Sequence, residues 1–157
     1  MSENTTVGKI GLAPHLVCDG AASAIAFYKK AFGAEEMMRL DGGGGKIMHA
    51  AVSIDGAMVM LVDENRDYGM LGPKALGGTP VTLHLNVADA DASMARAEKA
   101  GAKVLMPAAD MFWGDRYGMV EDPYGHRWAI AETKTAMTID EIREAARKAA
   151  PANAKGA

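Results

Sequence analysis

The sequence predicts an α+β fold: two tandem βαβββ modules forming a curved mixed sheet around a cleft, plus a C-terminal helix. Three observations carry this. Each half reads strand, helix, strand, strand, strand from its apolar period and its turn residues. The halves align at a constant shift: His15 maps to His84 (84 − 15 = 69), Leu16 to Leu85, and Gly56 of the first hairpin to Gly125 of the last. One half alone cannot cover both faces of its sheet, whereas two side by side can close around a cavity.

The first module spans residues 10–63. "IGLAPHLVC" (Ile10 to Cys18) reads as a strand. A helix starts at Asp19 or Gly20 and runs through Phe32, where Gly33 supplies a left-handed C-cap. Ala21, Ile25, Tyr28 and Phe32 share one helical face. "AEEMMRLD" and "KIMHAAVSI" follow as strands joined by the glycine run 42–45, and "GAMVMLVD" follows the Asp55-Gly56 turn. A Gly/Pro-rich connector covers residues 64–79. The second module, 80–132, opens with the strand "PVTLHLNV". Its helix, "ADADASMARAEKA", is capped near Asp89 or Asp91 and ends at Gly101. The strands "AKVLMPAADMFW", "DRYGMVED" and "HRWAIAE" complete it. Residues 138–150 form a last helix. Thr138 and Glu141 make a capping box, Ile139, Ile142, Ala146 and Ala149 share an apolar face, and Pro151 stops the helix before a tail expected to fray. So short a helix needs packing, on its own body or on a partner subunit.

Composition removes several classes of function. Hydrophobic residues make up 49% and charged residues 24%, the balance of an ordinary globule. No apolar run approaches the ~20 residues of a membrane span. The opening "MSENTTVGKI" has no apolar core of a secretory signal. The formal charge is −3 with scattered Lys and Arg, so no basic surface for nucleic acid is expected. The single cysteine, Cys18, makes no internal disulfide, which suits the cytoplasm. The twelve methionines are core filler or the lining of a plastic apolar pocket.

The segments "AIAFYKKAFGAE", "LGGTPVTLHLNVADADA", "AGAKVLMPAADMFWGDRYGMVEDPYGHRWAIAE" and "MTIDEIREAA" resemble the vicinal oxygen chelate (glyoxalase/bleomycin-resistance/dioxygenase) superfamily, specifically its PhnB-like branch. The resemblance covers residues 11–147. It implies the paired-module fold and, in the superfamily's enzymes, one divalent metal on the inner sheet face, held by His, Gln or Glu from the first and last strands of each half. Here the resemblance places those positions at Ala13, Met60, Thr82 and Ala129. Alanine has no donor and a lone threonine hydroxyl is a poor one, so no metal or other cofactor is expected. Glu132 lies on the opposite face by strand parity.

His15 and His84 sit two residues beyond the first-strand positions and share their face. In "VTLHLNV" the residues Leu83, Leu85 and Val87 alternate with Thr82, His84 and Asn86. The apolar set belongs under the helices and the polar set in the cleft. Either the histidines are hydrogen-bonded inside a partly wet cleft, or they bind or exchange protons with a small ligand, or a two-residue slip in register brings them into the metal-ligand positions. Phe112, Trp113, Arg116 and Tyr117 offer aromatic area and a guanidinium, able to stack on a ring and hold a carboxylate or phosphate. In the other arrangement Trp113 is core and Arg116 pairs with Asp115 or Glu121. Trp128 alternates with Ala129 and is placed against a helix. "GGGGK" lacks the helix and hydroxyl of a phosphate loop. Cys18 alternates with Val17 and is expected to be a buried spectator.

The expected ligand cleft comprises His15, Val17, Met60, Thr82, His84, Asn86, Trp113, Arg116 and Tyr117. Two functions follow. One is a metal-independent small-molecule binder, homodimeric and cytoplasmic, engaging neither membrane nor nucleic acid. The other is a metal-dependent lyase, isomerase, thiol transferase or dioxygenase of the same superfamily.

Overall fold

A computed structural model describes residues 11–150. Ile10, the N-terminal segment 1–9, the Pro151 helix stop and the tail expected to fray lie outside the described residues. The elements run β1 (His15–Cys18), α1 (Ala21–Phe32), β2 (Glu35–Gly43), β3 (Lys46–Ile54), β4 (Ala57–Asp63), α2 (Pro73–Leu76), β5 (Thr82–Asn86), α3 (Ala90–Ala100), β6 (Lys103–Asp110), β7 (Asp115–Glu121), β8 (Arg127–Thr133) and α4 (Ile139–Ala149).

The strand orders are β1-β4-β3-β2 and β5-β8-β7-β6, the same order twice. In each sheet the first strand runs parallel to the last and the other pairs are antiparallel. The expected curved sheet is thus two four-stranded mixed sheets, with β1 and β5 as edge strands bordering a common gap. β1 begins later than the apolar pattern suggests. Pro14 has no N–H for a ladder, although its carbonyl accepts from Met60 N at 2.9 Å. The connector is also more ordered than its composition implies. It holds a 3-10 turn at Arg66–Tyr68 and a proline-initiated α2.

Helix α1 covers the first sheet, α3 covers the second, and the two helices pack on each other. Ile25, Tyr28, Val52, Leu61, Val120 and Ile130 are fully buried in the core they share. Trp128 joins it at 3% exposure, its ring centroid 4.6 Å from that of Phe32. Cys18 is buried too. Burial, reinforced by the Asp122 carboxylate, pushes its thiol well above the usual range, which leaves it inert as a nucleophile.

Polar bonds lock the modules together. Tyr28 Oη on α1 donates to Asp122 Oδ2, which also accepts from Trp128 Nε1 at 3.0 Å. Asp122 Oδ1 accepts the Tyr124 and His126 amides of the "EDPYGH" turn. Arg96 of α3 donates from Nε to Lys30 O at 2.7 Å, satisfying an orphan carbonyl at the end of α1. His126 Nε2 meets Val17 O at 2.8 Å. Helix α4 has the full Thr138–Glu141 capping box, but none of its residues is buried and Ile139 is 68% exposed. No helix among the described residues is long and apolar enough to cross a membrane.

Candidate functional site

The strand pleat leaves each sheet with one face under its helix and one open face. On β1, Leu16 and Cys18 are buried while His15 is exposed and Val17 half-buried. His15 pairs with Met60 and Val17 with Val62 across the β1–β4 ladder, so these four share the open face of the first sheet. His49 of β3 joins them, its ring centroid 5.4 Å from that of His15 at an interplanar angle of 83°. Burial, then the neighbouring His49, hold the His15 imidazole below its ordinary proton affinity.

The second sheet is built the same way. Leu83 and Leu85 turn toward the core, while Thr82, His84 and Asn86 are exposed on the open face. His84 Nε2 lies 3.1 Å from Asn86 Oδ1, which fixes the ring. Tyr117 of β7 stands 6.1 Å from His84 between ring centroids, and Trp113 stands 5.7 Å from Tyr117, edge-on. Phe112 adds a fourth ring 5.0 Å from Trp113. Trp113 is half-buried and donates from Nε1 to Asp115 Oδ2 at 3.1 Å. Phe112 and Trp113 lie beyond the end of β6, in the hairpin tip rather than in the strand. Gly114 completes that tip at φ 96°, and a Cβ there would meet Thr135 O at 2.3 Å. The result is an aromatic wall about four rings long ending at a His–Asn pair.

The expected cleft residues therefore fall into two groups. The structure brings His15, Val17 and Met60 together on one sheet, and Thr82, His84, Asn86, Trp113 and Tyr117 on the other. Within one chain the two histidines border different depressions. His84 lines one of about 510 Å³ with Ala13, Met58 and Trp128, and His15 lines one of about 350 Å³ with Leu76, Val81 and His126. A wider depression of about 810 Å³, bordered by Phe32, Glu35, Asp55 and Asn86, holds no converging set of reactive groups.

Arg116 stands apart from both groups. Its guanidinium donates to Asp91 on α3 at 2.7 and 3.0 Å and to Asp110 at 3.1 Å, on the helix side of the second sheet. Those carboxylates, not Asp115 or Glu121, are its partners, and they hold it firmly protonated. Tyr117, the next residue, points to the opposite face by pleat parity.

The positions that the resemblance assigns to a metal do not converge on a donor set: Ala13 lies before β1, and the ladders set His15 opposite Met60 and His84 opposite Ala129. Ala13 and Ala129 offer no donor, Met60 offers a thioether, and Thr82 is an exposed hydroxyl on the other sheet. Among the described residues no group of three or more His, Cys, Asp or Glu is placed to hold an ion. The residues present do not fit the divalent centre that the fold family implies.

Sequence reasoning passed over His49. It stands at the open-face parity of "MHAAVSI", the signal that could have found it. The 69-residue shift pairs it with Gly118 (49 + 69 = 118), so the duplication did not draw attention to it.

The comparisons agree with this architecture. Residues 9–130 match the family profile described as the Glyoxalase/Bleomycin resistance protein/Dioxygenase superfamily. An uncharacterized protein of Mycobacterium bovis is 50% identical over 137 residues, covering 85% of this chain and 90% of that one. An uncharacterized protein of Arabidopsis thaliana is 35% identical over 129 residues, covering 77% and 76%. Among solved structures, TioX from Micromonospora sp. ML1 superimposes with a TM-score of 0.64 at 26% identity, covering 80% of this chain and 99% of TioX.

Proposed function

The chain belongs to the Glyoxalase/Bleomycin resistance protein/Dioxygenase superfamily, and on that premise we propose that it is a small-molecule-binding protein that needs no divalent metal to hold its ligand. We assign it to the PhnB-like branch on the motifs quoted above. The observation that carries the reading is the wall of Phe112, Trp113, Tyr117 and His84, ending at Asn86. Edge-on rings expose flat π-surface to a stacking partner, and the His–Asn pair presents hydrogen-bonding groups at its end. Such a surface suits a planar, partly aromatic molecule with one polar edge.

The working unit of this proposal is a cytoplasmic homodimer that engages neither nucleic acid nor membrane. Each chain exposes Leu76 on α2 and Ile139 on α4, a helix with no buried residue. A second copy would cover such apolar area, as closed symmetric dimers do.

The test is a thermal-shift screen of planar aromatic compounds against the full chain and against Trp113→Ala, since a ligand of the folded state raises the melting temperature. A compound that stabilises the wild type and not Trp113→Ala is expected. Elemental analysis of tag-free protein runs beside it. A stoichiometric divalent metal, with ligand binding abolished by chelation, would overturn the metal-independent reading in favour of a metal-dependent enzyme.

A further inference from the structure

The open face of the first sheet carries donors that the aromatic wall does not use. The His15 and His49 ring centroids are 5.4 Å apart. Met60 stands between them in the ladder: its Cα pairs with His15 on β1 and with Ala51 on β3, two residues from His49. Pleat parity puts side chains 15, 49 and 60 on one face. Ala51, in the middle of that face, is only 3% exposed, so the side chains around it close over its methyl. Met38, the β2 partner of Ala51, adds a second thioether at the rim.

These donors are two imidazoles and one or two thioethers, with neither carboxylate nor thiolate. Zinc takes four ligands in structural sites and three protein ligands in catalytic ones. Hard cations want oxygen, whereas thioether sulfur is soft and selects Cu(I). A monovalent d¹⁰ ion is satisfied by two or three neutral soft donors and needs no carboxylate to balance a second charge. With metal–nitrogen bonds of about 2.0 Å, an ion between two imidazoles spans ring centroids up to roughly 6 Å apart. The observed spacing of 5.4 Å falls within that reach.

We infer that His15, His49 and Met60 form a binding site for a soft monovalent cation, Cu(I) or its redox-inert analogue Ag(I), with Met38 at its rim. The departure from superfamily chemistry turns on Met60, where a fourth-strand ligand position carries sulfur. The site lies on the first sheet alone and is independent of the organic ligand proposed for the second.

The test is anaerobic competition for Cu(I) between the full, tag-free chain and the chromophoric chelator bicinchoninate. The wild type withdraws one Cu(I) per chain. His15→Ala, His49→Ala and Met60→Leu each weaken retention by about tenfold or more. Met60→Leu nearly conserves volume, so its fold is retained. Met48→Leu, at an exposed methionine of the same strand as His49, leaves retention unchanged. Failure of the wild type to withdraw Cu(I), wild-type retention in Met60→Leu, or equal loss in His84→Ala would each overturn the site. So would Zn(II) binding of equal strength through the same three residues.

Discussion

Asp63 and Glu132 occupy equivalent places in the two modules and do the same work. They are one repeat apart (132 − 63 = 69), and each accepts the first backbone N–H of its own module's helix. Asp63 Oδ1 takes Ala21 N at 2.9 Å and Glu132 Oε2 takes Ala90 N at 2.9 Å. The last strand of each module thereby holds the helix that covers its sheet, with a carboxylate at the positive end of the dipole. Asp63 carries the heavier load. It also accepts Gly20 N at 3.0 Å and Ile47 N at 2.7 Å, while Gly20 itself has no side chain to cap α1. Asp63→Ala is expected to destabilise the chain by about 2–4 kcal/mol, because buried donors lose their acceptor. Urea denaturation of wild type and variant measures it.

Glu132 makes a pH prediction. The Ala90 amide and then Lys134 hold its carboxyl below the ordinary value of 4.5. The folded state therefore binds this proton less readily than the unfolded state. Its contribution is present above pH 4.5 and is lost as pH falls through the lower folded value. Glu132→Gln should flatten the acid side of the stability curve below that pH. An unchanged acid limb in melting temperatures taken between pH 3 and 7 would sink the idea.

The Tyr28–Asp122–Trp128 network should set how firmly the modules hold together. Tyr28 is fully buried, and burial, with the Asp122 charge, keeps its phenol protonated. Tyr28→Phe leaves Asp122 one donor short at 3% exposure and should cost about 1–3 kcal/mol. Trp128→Ala empties a core site against Phe32 and should cost about 3–5 kcal/mol. If Tyr28→Phe lowers the denaturation midpoint as much as Trp128→Ala does, the network outweighs the packing.

Trp113→Ala should separate binding from folding. Trp113 is half-buried at a hairpin tip, so its loss should move stability by less than about 1 kcal/mol. Ligand affinity should fall by about tenfold or more, as for an aromatic anchor. A calorimetric titration with a compound from the screen gives both numbers when paired with a melt. Arg116→Gln serves as contrast: its guanidinium is committed to Asp91 and Asp110, so affinity should stay unchanged.

Light scattering at micromolar concentration should return twice the 16.5 kDa chain mass. A monomer mass would remove the homodimer from the proposal.

Element type outside the connector, the duplication, the caps at Gly33, Asp89 and Thr138, and the placing of Trp128 against a helix were readable in the sequence. Each depends on backbone period or on contacts within a turn, which neighbouring residues encode locally. Strand parity likewise separated His84 from Leu83 and Leu85. Three things waited for the tertiary structure. Parity says that Arg116 and Tyr117 face opposite ways but not which face a helix covers. That was decided by Asp91 on α3, 25 residues away. His49 became a neighbour of His15 only through the register of β3 on β4 and of β4 on β1. The separation of His15 from His84 came last. It follows from how α1 and α3 pack and from the Asp122 latch between modules, contacts between residues up to 94 positions apart that no local pattern encodes.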